Sequence, residues 1–299
     1  KEAIESYKQA IRIDPDYAKA HYNLGTAYIR LNKYKEAIKS LKQSIRIRPD
    51  FAGAHYNLGL AYYELGKHEE AIKSYKQAIR IDPDYREAHG NLGVAYSDLG
   101  KYKEAIESYK QAIRIDPDDA VAHYGLGNAY GKSGKHEEAI EPFKQAIRID
   151  PDDALAHSGL GAAYSKSGKY EEAIESHKQA IRIDPDYAKA HYNLGTAYGK
   201  LGKYEEAIES YKQAIRIDPD YQSAHSNLGN TYITSGNYKE AIESCKQAIR
   251  IDPDFALAHY NLSLAYIMLN DRGSALEQYK ILKKLDTELA NELFNLIYK

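Results

Sequence analysis

Two amphipathic patterns follow one another along the chain, and residues 188–221 show both of them. Apolar residues recur at helical spacing from Leu194 to Leu201 and again from Tyr204 to Ile215. Polar residues fill the remaining positions of each stretch. The pattern therefore predicts two amphipathic helices in succession.

The predicted helices are separated by residues that favour turns. Gly202 lies between the two helices, where a helix end needs a left-handed residue, and Asn32 or Asn270 takes this place elsewhere in the chain. Pro219 is predicted to end the second helix, because proline lacks a backbone N–H and disfavours helical geometry in the residue before it. Asp220 is predicted to cap the next helix.

The whole pattern recurs with a period of 34 residues, marked by Asp-Pro-Asp or Arg-Pro-Asp motifs from Asp14 to Asp254. Counting from Ala18 gives eight repeats without insertions, ending at Leu289. Below, position 1 is the first residue of a repeat. We expect one continuous solenoid: a lone second helix (1–17), eight repeats (18–289) and a C-terminal capping helix (290–299).

The 34-residue unit, with Leu, Gly and Tyr in its first helix, a later pair of Ala and a closing Pro, resembles the tetratricopeptide repeat family. The resemblance covers nearly the whole chain. It implies an all-α, right-handed superhelical solenoid of stacked antiparallel helix pairs. The first helices would line its concave side.

One repeat alone is not expected to fold. Ordering its backbone costs about 1–2 kcal/mol per residue in conformational entropy, which exceeds the free energy gained by burying its few apolar side chains. Neighbouring repeats must bury each other's apolar faces. We expect residues 290–299, with Leu293, Phe294, Leu296 and Ile297, to close the C-terminal end. At the N-terminal end Ile4, Tyr7 and Ile11 would leave apolar surface bare, which predicts end-to-end self-association.

One polar stripe of the first helix is predicted to face the open side of the solenoid, because positions 2, 6, 9 and 13 fall within roughly 60°. Six of the eight repeats carry asparagine at position 6, and the other two carry Gly125 and Gly159. The asparagines are Asn23, Asn57, Asn91, Asn193, Asn227 and Asn261.

A carboxamide offers one acceptor and a pair of donors, which match the acceptor and donor of a peptide backbone. The row therefore predicts a groove that binds an extended polypeptide through its main chain. It is similar to the asparagine ladder in the repeat domain of O-GlcNAc transferases, and that resemblance implies the same role for these six residues. In the alternative interpretation, the asparagines suit a solvated helix face or bond within the stack.

Other side chains of the stripe are predicted to add selectivity. Tyrosines beside the row either stack on ligand side chains or pack between adjacent hairpins; they are Tyr22, Tyr56, Tyr124, Tyr192 and Tyr260. Glu64 and Asp98 mark the early repeats, whereas the later ones carry lysines, which predicts that an acidic segment prefers the later stretch. These lysines are Lys132, Lys166, Lys189 and Lys200.

Two lysines precede a row asparagine by four residues, Lys19 before Asn23 and Lys189 before Asn193. They resemble fragments of the carboxylate clamp in chaperone-tail receptors of the same family. The full clamp is absent from the sequence. Lys19 and Lys189 are therefore counted only as candidate contacts to the peptide.

Composition narrows the possible functions further. The 41 Lys and Arg against 43 Asp and Glu give a net charge of −2, which does not favour a nucleic-acid groove. The single cysteine, Cys245, excludes an internal disulfide and a multi-cysteine zinc site. The sequence contains no apolar run long enough for a membrane span. Histidine at position 4 of every repeat lacks a second convergent ligand, so we predict a structural role and no metal site.

The sequence contains no glycine-rich phosphate loop and no nucleophile elbow, so we predict neither an enzyme nor a cofactor. The favoured function is a protein-interaction scaffold that binds an extended polypeptide, with a predicted preference for acidic segments. Two alternatives stay open. The chain is the recruitment arm of a larger enzyme, such as a glycosyltransferase, or a structural solenoid that assembles through its ends.

Overall fold

Eighteen α-helices are present in residues 2–298, the part of the chain that the computed structural model describes. The first helices of the repeats are α2 (Ala18–Ile29), α4 (Ala52–Tyr63), α6 (Arg86–Asp98), α8 (Ala120–Lys132), α10 (Ala154–Lys166), α12 (Ala188–Lys200), α14 (Gln222–Thr234) and α16 (Ala256–Met268). The second helices are α3 (Tyr34–Ile47), α5 (His68–Ile81), α7 (Tyr102–Ile115), α9 (His136–Ile149), α11 (Tyr170–Ile183), α13 (Tyr204–Ile217), α15 (Tyr238–Ile251) and α17 (Arg272–Leu285). Helix α1 (Glu2–Ile13) precedes them and α18 (Thr287–Ile297) follows. The predicted all-α fold class is confirmed.

The helices belong to two compact units. The N-terminal unit extends to Pro151 and holds α1–α9, and the C-terminal unit begins at Asp152 and holds α10–α18. Within each unit the two helices of a repeat pack against each other, and each first helix also contacts the first helix of the next repeat. The first helices of a unit therefore form one continuous layer.

The turn between the two helices of a repeat has the predicted left-handed backbone. Gly202 has φ 72°, and Asn32 and Asn270 reach 56° and 62°. Asparagine tolerates this region better than other side chains do. The sequence prediction from these three residues is confirmed.

The turn between repeats differs from the prediction in one detail. Asp218 accepts the backbone N–H of Asp220 at 3.2 Å, and α14 begins two residues after Asp220, so the prediction that Asp220 caps this helix is wrong. The capping place is position 34, one residue later. Where that position is aspartate, as at Asp119 and Asp153, the carboxylate does accept a backbone N–H of the following helix.

The core of each repeat is built on a close approach of its two helices at position 8. Glycine occupies this position in seven repeats. The side chain at position 24 of the repeat, which belongs to the second helix, lies directly over the glycine. Tyr109 lies over Gly93 in this way, and Phe143 lies over Gly127. A Cβ atom on either glycine would come within 3.0 Å of the ring, so the hairpin closes tightly because these residues lack side chains.

The two ends of the described chain differ in burial. No residue of α1 is buried, and Ile13 is 77% exposed. Helix α18 begins at Thr287, three residues before the predicted capping segment, and packs on α16 and α17. It buries Leu293 and Ile297, whereas Phe294 and Leu296 are 43% and 42% exposed.

Candidate functional site

The asparagines of position 6 lie on the first helices, on the surface formed by positions 2, 6, 9 and 13, which we call the ladder face. Each unit carries three of them. Asn57 and Asn261 are buried, with 8% and 2% exposed, and the other four are half-buried. The row is therefore less open than the sequence predicted.

Four of these carboxamides already donate a hydrogen bond to the preceding repeat. The acceptors are Thr26 Oγ1 for Asn57 (2.9 Å), Tyr56 OH for Asn91 (2.9 Å), Tyr192 OH for Asn227 (3.0 Å), and Ser226 Oγ and O for Asn261 (3.2 and 3.3 Å). The alternative that the asparagines bond within the stack therefore holds for these four. The cause is geometric, since position 6 of one first helix adjoins positions 5 and 9 of the one before.

Part of the row keeps free hydrogen-bonding capacity. A carboxamide has two N–H groups and one oxygen, so Asn91 retains one N–H and the Oδ1 atom beside its bond to Tyr56. Asn227 retains its Oδ1 atom, because its side chain also donates to the Tyr211 hydroxyl. Asn23 and Asn193 make no hydrogen bond to another described residue through their side chains. These four half-buried asparagines each present an acceptor on the ladder face, and Asn23, Asn91 and Asn193 also present a donor.

The tyrosines at position 5 support the row from one side. The ring of Tyr22 lies 4.6 Å from that of Phe51, and the rings of Tyr56 and Tyr192 each lie 5.0 Å from a tyrosine at position 34. The hydroxyls of Tyr56 and Tyr192 accept the asparagine bonds described above. These contacts favour the packing interpretation of the position 5 tyrosines.

The charged side chains of the ladder face differ between the two units. Lys166, Lys189 and Lys200 of the C-terminal unit are exposed and make no ion pair with another described residue. In the N-terminal unit Asp98 accepts a hydrogen bond from the Tyr63 hydroxyl at 2.6 Å. Burial and this carboxylate raise the pKa of Tyr63. Lys19, another candidate contact, is exposed on α2.

A cavity of about 470 Å³ opens on the ladder face of the N-terminal unit, between α6 and α8. Its walls include Tyr56, Val94, Tyr109, Val121 and Tyr124. Sequence reasoning missed this cavity. Two substitutions in the repeat pattern signal it, because Gly90 stands where most repeats have a position 5 tyrosine and Gly125 stands where most have a position 6 asparagine.

The histidines of position 4 have a structural partner. In seven repeats Nε2 lies 2.9–3.0 Å from the carbonyl oxygen of the proline six residues earlier, so the ring N–H donates to the turn between repeats. Within residues 2–298, no group of three or more histidine, cysteine or acidic side chains is placed to hold a metal ion. Cys245 is fully buried over Gly229, and burial raises its pKa to about 12.

Family models match most of the chain. The model of the Cilia and flagella-associated protein 70 C-terminal domain covers residues 1–191, and tetratricopeptide repeat models cover residues 188–221, 210–243 and 229–270. The chain belongs to the tetratricopeptide repeat family. The resemblance predicted from the repeat pattern is thereby confirmed, and the chain is a protein-interaction scaffold of a family whose members are generally not catalytic.

Solved tetratricopeptide repeat structures share the fold. MamA is 31% identical, with 54% of this chain and 95% of MamA covered at a TM-score of 0.52. YrrB, described as a tetratricopeptide repeat protein with an unusual peptide-binding site, is 25% identical. The match covers 62% of this chain and 96% of YrrB, at a TM-score of 0.53. The APC/C hetero-tetramer Cut9-Hcn1 is 19% identical and shows the fold alone. The match covers 88% of this chain and 52% of the other chain, at a TM-score of 0.62.

No curated protein matches the chain in the sequence comparison. None of the helices in the described residues has both the length and the apolar character needed to cross a membrane.

Proposed function

We propose that this scaffold binds an extended polypeptide along the ladder face, with asparagine side chains pairing to the main chain of the guest. The observation that carries the proposal is the recurrence of half-buried carboxamides with unused hydrogen-bonding groups at Asn23, Asn91, Asn193 and Asn227. In this proposal Asn57 and Asn261 link neighbouring repeats through their hydrogen bonds and do not contact the guest. Their burial leaves little surface for a guest.

The affinity expected from this arrangement is modest. A hydrogen bond contributes about 0.5–1.5 kcal/mol net, so four carboxamides supply a few kcal/mol. Ordering a flexible guest offsets much of this gain. We therefore expect micromolar dissociation constants and little dependence on the sequence of the guest where only its main chain is paired.

Charge gives the guest a preferred position. In the C-terminal unit the exposed Lys166, Lys189 and Lys200 lie on the same face as Asn193, and no carboxylate of the described residues neutralises them in an ion pair. Lysines attract acidic side chains over about 8 Å at physiological ionic strength. An acidic segment of the guest is therefore proposed to bind the C-terminal unit.

The proposal is tested by replacing the two carboxamides that have no partner, in the double variant Asn23→Ala with Asn193→Ala. Binding to an array of unstructured peptides is expected to weaken about fivefold for each side chain, which corresponds to ~1 kcal/mol per lost hydrogen bond. Asn295→Ala, which removes an exposed carboxamide from α18, is the matched control. Unchanged binding by the double variant, with helicity retained in circular dichroism, contradicts the proposal.

The charge preference is tested separately. Lys166→Glu combined with Lys200→Glu is expected to weaken acidic peptides and to leave neutral ones unchanged, with the difference shrinking in high salt. The control carries the same change of charge on second helices of the same unit, at Lys212 and Lys246. Equal loss in both variants would assign the effect to net charge and reject a site on the ladder face.

A further inference from the structure

The geometry of the cavity between α6 and α8 points to a pocket for one bulky apolar side chain, preferably aromatic, of the bound polypeptide. We propose that it fixes the register of the guest. This inference rests on the proposed function, because a guest that follows the ladder face would pass over the cavity mouth. It adds a side-chain preference that pairing with the main chain does not provide.

The cavity lies where two side chains of the repeat pattern are missing. A Cβ atom added to Gly90 would meet no atom within 4 Å, so the space beside it is open. A Cβ atom on Gly125 would lie 2.5 Å from Cε1 of Tyr109, so the tyrosine ring occupies the place of a ladder carboxamide. At Gly125 the chain therefore has no carboxamide to pair with the main chain of a guest, and the Tyr109 ring lines the cavity there instead.

The walls of the cavity are suited to an apolar occupant. Tyr109 is 5% exposed, and burial raises its pKa to about 12, so the ring is a neutral phenol. Val94 and Tyr124 are half-buried at the sides. Val121 is 76% exposed at the first turn of α8, although most exposed positions of the first helices carry polar side chains. An apolar guest side chain would cover Val121 and gain from its burial.

The charges around the cavity cancel one another almost completely. The Arg86 guanidinium donates to Asp119 Oδ2 at 2.6 Å and to Glu87 Oε1 at 2.8 Å, so its charge is compensated. Adding Asp98 and Lys132 leaves three carboxylates against two cations in the lining. Such a site does not attract an anion, and the Arg86 guanidinium is already paired with two of the carboxylates, which favours a neutral occupant.

The absence of tryptophan from the chain permits a direct test, because every tryptophan signal then comes from the ligand. The probes are N-acetyl-L-tryptophanamide and a flexible peptide with one central tryptophan, compared with the same peptide carrying serine or lysine there. The test variant is Gly90→Tyr, which restores the residue of five other repeats in open space. Gly199→Tyr is the control, since a Cβ atom there is equally free and the residue lies in the C-terminal unit.

With the unmodified protein, both tryptophan probes are expected to shift their emission to shorter wavelength on binding, and the tryptophan peptide to bind at least about tenfold more tightly than the serine peptide. Gly90→Tyr removes the shift and this advantage, whereas Gly199→Tyr keeps both. Equal binding of the tryptophan and serine peptides, or indifference to Gly90→Tyr, overturns the pocket and leaves the ladder proposal standing. Tighter binding of the lysine peptide overturns the apolar assignment in favour of a cationic one.

The amide probe separates the two proposals further. If it binds the unmodified protein and not Gly90→Tyr while none of the peptides bind, the pocket stands and the proposed peptide function fails. If neither the amide nor the tryptophan peptide shows a spectral shift, the pocket is rejected.

Discussion

Gly195 and Tyr211 are packed so closely that a Cβ atom on the glycine would lie 2.9 Å from two carbon atoms of the tyrosine ring. The same atom would also lie 3.1 Å from the carbonyl oxygen of Ala207, which cannot move without shifting the helix. The two helices of the repeat are therefore in contact at their backbones. Gly199, one turn later on α12, has no atom within 4 Å of its Cβ site.

We predict that alanine has opposite effects at these two glycines. Gly195→Ala is expected to lower the free energy of unfolding by about 1–3 kcal/mol, because the methyl group overpacks the hairpin. Gly199→Ala is expected to raise it by up to about 1 kcal/mol, because alanine restricts the unfolded chain. Chemical denaturation followed by circular dichroism measures both. Equal effects of the two substitutions would contradict the close helix contact.

His177 is predicted to make the C-terminal unit sensitive to acid. Neither ring nitrogen has a partner, and burial lowers the pKa of His177 to about 4 from 6.5. The unfolded chain therefore takes up the proton first as the pH falls. The free energy of unfolding therefore keeps its full value, as far as His177 is concerned, above pH 6.5. Between pH 6.5 and pH 4 it falls by up to about 1.4 kcal/mol per pH unit.

The variant that tests this is His177→Leu, since leucine fills the same position as Leu41 in the first repeat. Unfolding midpoints measured between pH 7 and pH 4 should decline less steeply than in the unmodified protein. The variant should also be more stable at pH 7, because it removes two unsatisfied buried nitrogens. An identical decline in both proteins would show that other groups cause the acid sensitivity.

The sequence predicted local features well, because neighbouring residues determine them. The helix pairs follow from apolar spacing, and the positive φ at Gly202, Asn32 and Asn270 follows from the residue types that tolerate it. The misplaced cap is a small failure of the same reasoning. Aspartate in the turn can accept a backbone N–H in two ways, and Asp218 uses the one that does not reach α14.

The state of the ladder could not be predicted in the same way, because it depends on contacts between repeats. Whether Asn91 is free or bonded is decided by the hydroxyl of Tyr56, one repeat earlier. The cavity likewise depends on two glycines in different repeats, Gly90 and Gly125. Neither substitution has an evident effect in its own helix. Their combined effect requires knowledge of how the helices pack.

Pro142 lies inside α9, which nevertheless keeps the length of the other second helices and buries Ala139 and Phe143. Six other repeats have serine at this position, and in Ser108 the hydroxyl donates to the carbonyl oxygen four residues earlier at 2.8 Å. Proline provides neither this bond nor a backbone N–H. Pro142→Ser should therefore stabilise the N-terminal unit by up to about 3 kcal/mol.

The reverse substitution, Ser108→Pro in α7, serves as the control for Pro142→Ser. It should destabilise the same unit by a similar amount, and guanidinium denaturation compares the two directly. If Pro142→Ser left the midpoint unchanged, the neighbouring helices would already compensate for the missing bond.

Asn261 is predicted to stabilise the fold, in contrast to Asn193 in the same row. Asn261 is 2% exposed and donates to the buried Ser226, whereas Asn193 is half-buried and has no such partner. Asn261→Ala should cost about 1–3 kcal/mol, because it leaves polar atoms buried without a hydrogen bond. Asn193→Ala should stay within about 0.5 kcal/mol, because it breaks no hydrogen bond within the fold and leaves no buried group unpaired. A double-mutant cycle with Ser226→Ala isolates the bond to the Ser226 hydroxyl, since additive losses would mean that the Asn261 carboxamide and this hydroxyl do not interact.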